Sequence, residues 1–294
     1  TVYVVDARTN TERTGERVTL TRAWQGRYDT NATPDDGSRR MPLIPLDMAF
    51  VPATRNHVAY ITAYGSDASF RLRFGDDGAV LEVGASSAPF IDLAPAGAIP
   101  AGRLPVGTAV NFAGTHGFTV NAYTRNVSVM QFSTQAVVAA VASADAPAAG
   151  RESAVNNGQR FFVTGLDRWS LRGQAWNSCE SCHPDGLTDN VTWFFARGPR
   201  QTTSLDGSFD RTGAPRLFNW TAVFDEVHDF ELNTRGNSGG VGAIVHRASD
   251  GTPAGLVSAS DRVIFDGATA TPPQVATGGV HAGLSGSTRQ LMPD

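Results

Sequence analysis

The run Cys179-Glu180-Ser181-Cys182-His183 constrains this chain more than any other stretch, and it holds both cysteines of the 294 residues. Cys-x-x-Cys-His is the attachment signature of a c-type haem. Two cysteines at this spacing lie about one helical turn apart, which suits thioether bonds to the two vinyl groups of one porphyrin. The histidine that follows is carried under the ring as the proximal iron ligand. The run therefore predicts one covalently attached haem c, held by Cys179, Cys182 and His183.

Three other structures use two cysteines at this spacing. A redox-active dithiol belongs at the start of a helix in a βαβ unit, whereas the turn sequence His183-Pro184-Asp185-Gly186 follows here. A disulfide at this spacing closes too small a loop to stabilise much. A structural zinc site needs four ligands, usually in two pairs. The remaining histidines are scattered and form no second pair: His57, His116, His228, His246 and His281.

Composition sets broad limits on location and partners. The chain is 41% hydrophobic and 18% charged, as ordinary globular proteins are, and at 294 residues it has room for two domains. Its formal charge of −4 gives no electrostatic reason to bind nucleic acid or an anionic membrane. No run approaches the ~18 apolar residues of a membrane helix. Because a c-type haem is attached after export, we expect a periplasmic or extracellular protein whose signal segment lies outside this piece of chain.

Residues 1–145 carry the pattern of β-strands. Runs of Val, Ile, Tyr, Phe and Thr alternate there and are bounded by Gly, Asn and Asp turns. Three stretches look alike: 2–10, 57–74 and 117–141. Repeats of a few short antiparallel strands predict a radial or stacked β architecture rather than a sandwich.

The third of these stretches resembles a known repeat. It contains Phe118-Thr119-Val120-Asn121, then Val127-Ser128-Val129, then Thr134-Gln135-Ala136-Val137-Val138. This succession is similar to blades of the seven-bladed β-propellers with a YVTN-type strand. The resemblance implies about three blades here, and a ring needs about four or more to close. Further blades would then come from the same or another polypeptide; a β domain that is not a propeller is the alternative.

A change of pattern marks the second half. Residues 142–150 are small, include a proline and have no periodic hydrophobic residues, which predicts a linker. Residues 151–162 predict a helix with Val155, Phe161 and Phe162 packed inward. A helix that leads into the Cys-x-x-Cys-His run fits the small α-helical cytochrome c fold.

The second half also resembles a family of haem proteins. Three segments carry this resemblance: Gly158 to Phe162, His183 to Asp189, and Gly198 to Leu205. They are similar to the cytochrome domains related to bacterial dihaem cytochrome c peroxidases and MauG-like proteins, including versions fused behind β-propellers. The family's Arg-x-Thr-x-Ser-Leu segment lies against the haem, which implies that Arg200 pairs with a haem propionate in a two-pronged geometry. An ordinary surface arginine is the alternative.

Together these patterns predict a β-plus-α chain. Residues 1–145 are expected to form partial β-propeller blades, and residues 151–294 a mostly α-helical c-type cytochrome domain with one haem. The sixth iron ligand stays open. Met292, followed by proline, resembles the Met-Pro of many small cytochromes c. The alternatives are histidines: His228, His246 and His281.

Electron transfer is the function that these residues predict, with other redox or haem proteins as partners. A peroxidase or MauG-like oxidase is the alternative, and it would need a second haem outside this chain because only one haem motif is present. A third possibility is an extracellular structural or binding module whose haem connects it to neighbouring redox proteins. The sequence has no P-loop, dinucleotide or His-Glu-x-x-His motif, and we assign no catalytic residue.

Overall fold

The structure is a computed structural model that describes residues 1–28, 39–52, 57–167, 170, 173–195 and 198–207, with the backbone of 245–246 and 289–290. The chain divides into two compact units, Thr1–Arg160 and Phe161–Asp294. Within the described ranges, no helix combines the length and apolar character that crossing a membrane requires.

The first unit opens with short elements. Strand β1 (Val5–Asp6) pairs with β2 (Thr11–Glu12), and α1 (Leu20–Arg27) follows. The stretch 2–10 therefore forms a two-residue ladder and one bridge from Val2 to Val18, not a blade. A two-residue ladder buries almost no apolar surface, so the predicted first repeat does not form an independently stable sheet.

The first sheet is an antiparallel meander. Its strands lie in chain order, with a fifth short strand beside β5. They are β3 (Pro45–Phe50), β4 (Val58–Ala63), β5 (Ala68–Phe74), β6 (Val80–Val83) and β7 (Ile91–Asp92). Helix α1 covers one face, where the Trp24 ring meets Phe70 edge-on at 5.1 Å and its Nε1 donates to Pro89 O at 3.1 Å. Because the opposite face is also covered, the central strands are almost continuously buried.

The second sheet is another antiparallel meander in chain order. Its strands are β8 (Pro105–Val110), β9 (His116–Asn121), β10 (Asn126–Gln131) and β11 (Ala136–Ala142). The last three coincide with the strands expected in 117–141. Short turns join them, and Arg125 and Gln135 take positive φ angles of 50° and 52° at the turn ends.

The two sheets pack face to face. Tyr60 of the first sheet stacks on Phe132, with ring centroids 4.1 Å apart, and its hydroxyl accepts a hydrogen bond from Gln135 Nε2 at 2.7 Å. Stacked antiparallel meanders occur in both sandwiches and propellers. The described residues contain two such sheets, where the sequence predicts about three blades. The apolar cluster between them comprises Val51, Tyr60, Ile91, Leu93, Met130 and Val137.

The second sheet has an unusual polarity. Its face toward the first sheet completely buries Thr119, Asn121 and Ser128. The opposite face, called the outer face below, is apolar, although Phe118 is 38% exposed and Val120 45%. Sheets with one solvated side ordinarily place polar residues on it, so this polarity is reversed. The four central residues of the outer face pair across β9 and β10, Phe118 with Val129 and Val120 with Val127.

A buried ion pair between Asp67 and Arg160 holds the helix that follows the second sheet. Asp67, in the left-handed turn between β4 and β5, is fully buried. Its Oδ1 and Oδ2 accept from Arg160 Nη1 and Nη2 at 2.9 and 2.6 Å. Arg103 Nη1 lies 3.3 Å from Oδ2, and Leu104 N donates to Oδ1 at 2.9 Å. The carboxylate thus receives four hydrogen bonds, which burying its charge requires.

Helix α2 (Arg151–Val163) confirms the helix predicted for 151–162. Its orientation differs from the expected one. Val155, expected to pack inward, is 62% exposed, whereas Arg160 is only 2% exposed. Arg160 is turned inward because Asp67 lies there to pair with its charge.

The mostly α-helical cytochrome domain predicted after residue 151 is wrong for the described residues. Beyond α2, the helical structure of the described residues consists of one turn, α3 (Cys179–Cys182), and the 3-10 turn Pro184–Gly186. The strands described there form short antiparallel ladders: β12 (Leu166–Asp167) with β13 (Gly173–Gln174), β14 (Thr192–Phe195) with β15 (Gly198–Gln201), and β16 (Val245–His246) with β17 (Arg289–Gln290). A Thr-Trp-Phe-Phe run favours strand over helix, and the cysteine motif itself requires only one turn.

Candidate functional site

The two cysteines lie at the ends of a single helical turn. Ser178 begins α3 and forms a reciprocal capping box with Ser181, whose Oγ accepts from Ser178 N at 3.1 Å. His183 N donates to Cys179 O at 2.9 Å and closes the turn. Cys179 and Cys182 are both free thiols. Local capping therefore builds the turn that places two thiols and one imidazole together.

Burial controls the protonation of these thiols. It raises the pKa of Cys179 to about 11 and also raises the pKa of Cys182. A catalytic dithiol or a thiolate zinc ligand instead depends on a lowered pKa. Among the residues that the structure describes, no three His, Cys, Asp or Glu side chains form a metal-binding group. This environment favours neither the dithiol nor the zinc interpretation.

The His183 ring has a defined orientation. Its Nδ1 lies 3.3 Å from Leu187 O, and the Thr203 backbone also interacts with the ring. A carbonyl only accepts hydrogen bonds, so Nδ1 carries the proton in this contact, and the lone pair of the neutral ring is on Nε2. Burial lowers the pKa of His183, which keeps the imidazole neutral. A neutral imidazole whose other nitrogen donates to a carbonyl is the usual state of a metal-binding histidine.

Asp189 connects the segment after His183 to the next hairpin. Its Oδ1 accepts from Thr202 Oγ1 at 2.7 Å and from Val191 N at 3.0 Å. Its Oδ2 accepts from the indole Nε1 of Trp193 at 2.8 Å. Partial burial acts to raise the pKa of Asp189, but these hydrogen bonds outweigh it and hold the pKa below its ordinary value.

Strands β14 and β15 form a hairpin rich in exposed aromatic side chains, called the aromatic hairpin below. Phe194 is 83% exposed, and Trp193 and Phe195 are about half as exposed, at 40% and 41%. Trp193 pairs directly across the hairpin with Arg200, so the two side chains share a face. Arg200 Nη1 donates to Pro199 O at 2.8 Å, and no described carboxylate forms an ion pair with it.

These residues fit a covalently attached haem. Two free thiols on one turn match the two vinyl groups, and His183 Nε2 is available as an axial ligand. Exposed Leu187, Val191 and the aromatic hairpin provide apolar surface beside the motif, and a large flat apolar cofactor buries such surface favourably. Arg200 shares the Trp193 face and keeps the capacity to bind a carboxylate.

The side chains of the remaining predicted residues lie outside what the structure describes. Met292, His228 and His281 lie outside the described residues. For His246 the structure describes only the backbone, in β16. The sixth ligand is therefore still a prediction.

Sequence reasoning missed Asp189 and Thr202 as site residues. Both lie inside segments that carried the family resemblance, and Asp189 stands six positions after His183. An Asp shortly before a strand commonly accepts a hydrogen bond from the backbone N–H two residues ahead, which was the available signal. The partners Thr202 and Trp193 follow only from the fold of the hairpin.

Comparison with known proteins yields no family. No protein-family model matches the chain, and no curated protein matches it. Among solved structures, it is similar to hydrazine synthase of Kuenenia stuttgartiensis, with 14% identity, a TM-score of 0.26, and coverage of 41% of this chain and 28% of that one. A functionally unknown protein from Desulfotomaculum acetoxidans gives 15% identity, a TM-score of 0.27, and coverage of 36% and 31%. A chain of the mitotic checkpoint complex gives 12% identity, a TM-score of 0.21, and coverage of 40% of this chain and 28% of that one.

This chain thus spans less than a third of the length of each of these structures. Similarity at such TM-scores supports no conclusion on function. The functional inference therefore depends on the site residues.

Proposed function

We propose that this chain is a periplasmic or extracellular electron-transfer protein with one covalently attached haem c. The observation that supports this most directly is the pairing of His183 Nδ1 with Leu187 O, directly after two free thiols on one helical turn. It leaves Nε2 as the only ring nitrogen available to iron.

In this proposal each site residue has one task. Cys179 and Cys182 hold the porphyrin by thioether bonds, and His183 Nε2 binds the iron. Arg200 neutralises a propionate on the face that it shares with Trp193. The apolar side chains of the aromatic hairpin exclude water from the ring edge. When bound, the haem supplies a one-electron ferric–ferrous couple.

The sixth ligand and the partners belong to the same proposal. Met292 is the proposed thioether ligand, with His228, His246 and His281 as alternatives. The redox partners are other haem or redox proteins. We also propose that the two meanders are neighbouring blades of a larger ring, and that a further four-stranded sheet covers the outer face. The exposure of Phe118 and Val120 supports this.

The decisive experiment is maturation of the chain in a periplasm with haem-attachment machinery. We expect haem that survives denaturing electrophoresis, a sharp α-band on reduction, and low-spin iron in both oxidation states. Cys179→Ser with Cys182→Ser should abolish covalent haem, whereas the control His116→Ala, outside the motif, should retain it. Absence of covalent haem from the wild type would overturn the proposal.

Spin state separates the carrier from the enzyme. A high-spin iron that shifts with cyanide or peroxide would replace electron transfer by a peroxidase-like activity. Met292→Ala should convert a six-coordinate spectrum to a high-spin one, because removing the thioether opens the sixth position. An unchanged spectrum would exclude Met292 as the ligand.

A further inference from the structure

The orientation of His183 depends on two separate chain segments. One segment contributes Leu187 O, 3.3 Å from Nδ1, and the other contributes the Thr203 backbone. A ring held by acceptors from two segments keeps its orientation only if the segments keep their spacing. What joins those segments therefore determines where Nε2 points.

Asp189 makes one of the side-chain connections between them. It lies two residues after Leu187 and accepts from Thr202 Oγ1, directly before Thr203, at 2.7 Å. Thr188 Oγ1 donates to Thr202 O at 3.0 Å, and Leu205 N donates to Gly186 O at 2.8 Å. Of these three contacts, only the first involves a charged group, and charge-assisted hydrogen bonds are the stronger kind.

The same carboxylate also positions the aromatic hairpin. Asp189 Oδ2 accepts from Trp193 Nε1 at 2.8 Å, so one side chain orients both the indole and the segment beside His183. Its negative charge also acts electrostatically on the His183 ring. A negative charge near an axial ligand favours ferric over ferrous iron.

We propose that Asp189 is the positioning residue for the axial histidine and the aromatic hairpin. It clamps the Leu187 segment to the Thr203 segment, and it sets the reduction potential through its charge and through the orientation of the His183 ring. This inference rests on the proposed haem function. Asp189 is not a catalytic residue, since it acts through other groups.

The test compares two substitutions that remove one negative charge each. Asp189→Asn replaces the acceptor facing Trp193 Nε1 by an NH₂ donor, whereas Asp185→Asn removes a charge that forms none of these contacts. Asp185 already has a left-handed φ of 54°, which asparagine tolerates. The readouts are haem content, the low-spin electron paramagnetic resonance spectrum, and the midpoint potential.

We expect both variants to retain covalent haem. Asp189→Asn should raise the potential by more than Asp185→Asn does and broaden the low-spin signal, because the ring samples more orientations. Equal shifts in potential with unchanged spectra would overturn the inference, since Asp189 would then be only a nearby charge. A wild type without haem would overturn the proposed function and this inference with it.

A measurement on the haem-free protein distinguishes failure of this inference from failure of the proposed haem function. Nitrogen-15 NMR of the unloaded wild type should show His183 with its proton on Nδ1, and Asp189→Asn should shift the tautomer toward Nε2. The Asp185→Asn control should leave the tautomer unchanged. If the Asp189→Asn tautomer equals that of the wild type, Asp189 does not position the ring, whatever the haem content.

Discussion

The buried carboxylate of Asp67 pairs with two arginines that are distant from it in the sequence. Its buried carboxylate binds Arg160 in a two-pronged geometry and also faces Arg103. The three groups come from the β4–β5 turn, the entry to the second sheet, and helix α2. Removing the carboxylate leaves buried guanidinium charge without compensation, which is far costlier than losing an exposed pair.

Asp67→Asn should therefore destabilise the protein by about 3–5 kcal/mol, measured by urea unfolding. The matched control is Glu12→Gln, which breaks the exposed pair with Arg17 and should cost only about 0–1 kcal/mol. Equal losses in the two variants would mean that the buried pair contributes no more than a surface one.

The thiols of the haem-free protein provide a second residue-scale prediction. Burial raises the pKa of Cys179 to about 11, so at pH 8 the folded protein holds almost no reactive thiolate there. Alkylation by iodoacetamide should be slow at pH 8, accelerate as pH rises toward 11, and become fast on unfolding. Peptide mass spectrometry measures it, and rapid labelling at pH 8 in the folded state would contradict the buried environment.

At the scale of elements, the outer face of the second sheet yields a prediction. Phe118 is 38% exposed and pairs with Val129 at the centre of the outer face, so replacing it should reduce the stability of the fold only slightly. Phe118→Lys should reduce self-association at high concentration, measured by sedimentation velocity, with the free energy of unfolding changed by less than about 1 kcal/mol. The control Leu81→Lys changes an exposed apolar residue on the other sheet and should leave association unaltered. Unaltered association of Phe118→Lys would mean that the outer face does not mediate self-association of this chain.

For the whole molecule, the boundary between the two compact units predicts how the stability of fragments depends on where they end. The sequence places a linker at 142–150, but the first compact unit extends to Arg160 because Asp67 binds it. A fragment of residues 1–163 should unfold at a clearly higher urea concentration than a fragment of residues 1–150. Arg160→Met in the longer fragment should remove most of that advantage. Equal midpoints for the two fragments would place the boundary at the linker.

The local parts of this protein were predictable from sequence, and the non-local parts were not. Period-2 alternation located β9, β10 and β11, and helical periodicity located α2, because both patterns lie within a few neighbouring residues. The prediction of a mostly α-helical second half is wrong for the described residues. The cysteine motif needs only one helical turn, and the Thr-Trp-Phe-Phe run after it favours strand.

The residue types of the site can be read from the sequence alone: two cysteines and one histidine stand at the spacing of a helical turn, and Ser178 caps that turn locally. Three pairings depend on the folded chain: the carbonyl that binds His183, the hydroxyl that donates to Asp189, and the carboxylate that binds Arg160. Asp67 and Arg160 are 93 positions apart. No local pattern encodes such a partner, because burying a charge is favourable only where the folded chain brings its counter-charge to the same place.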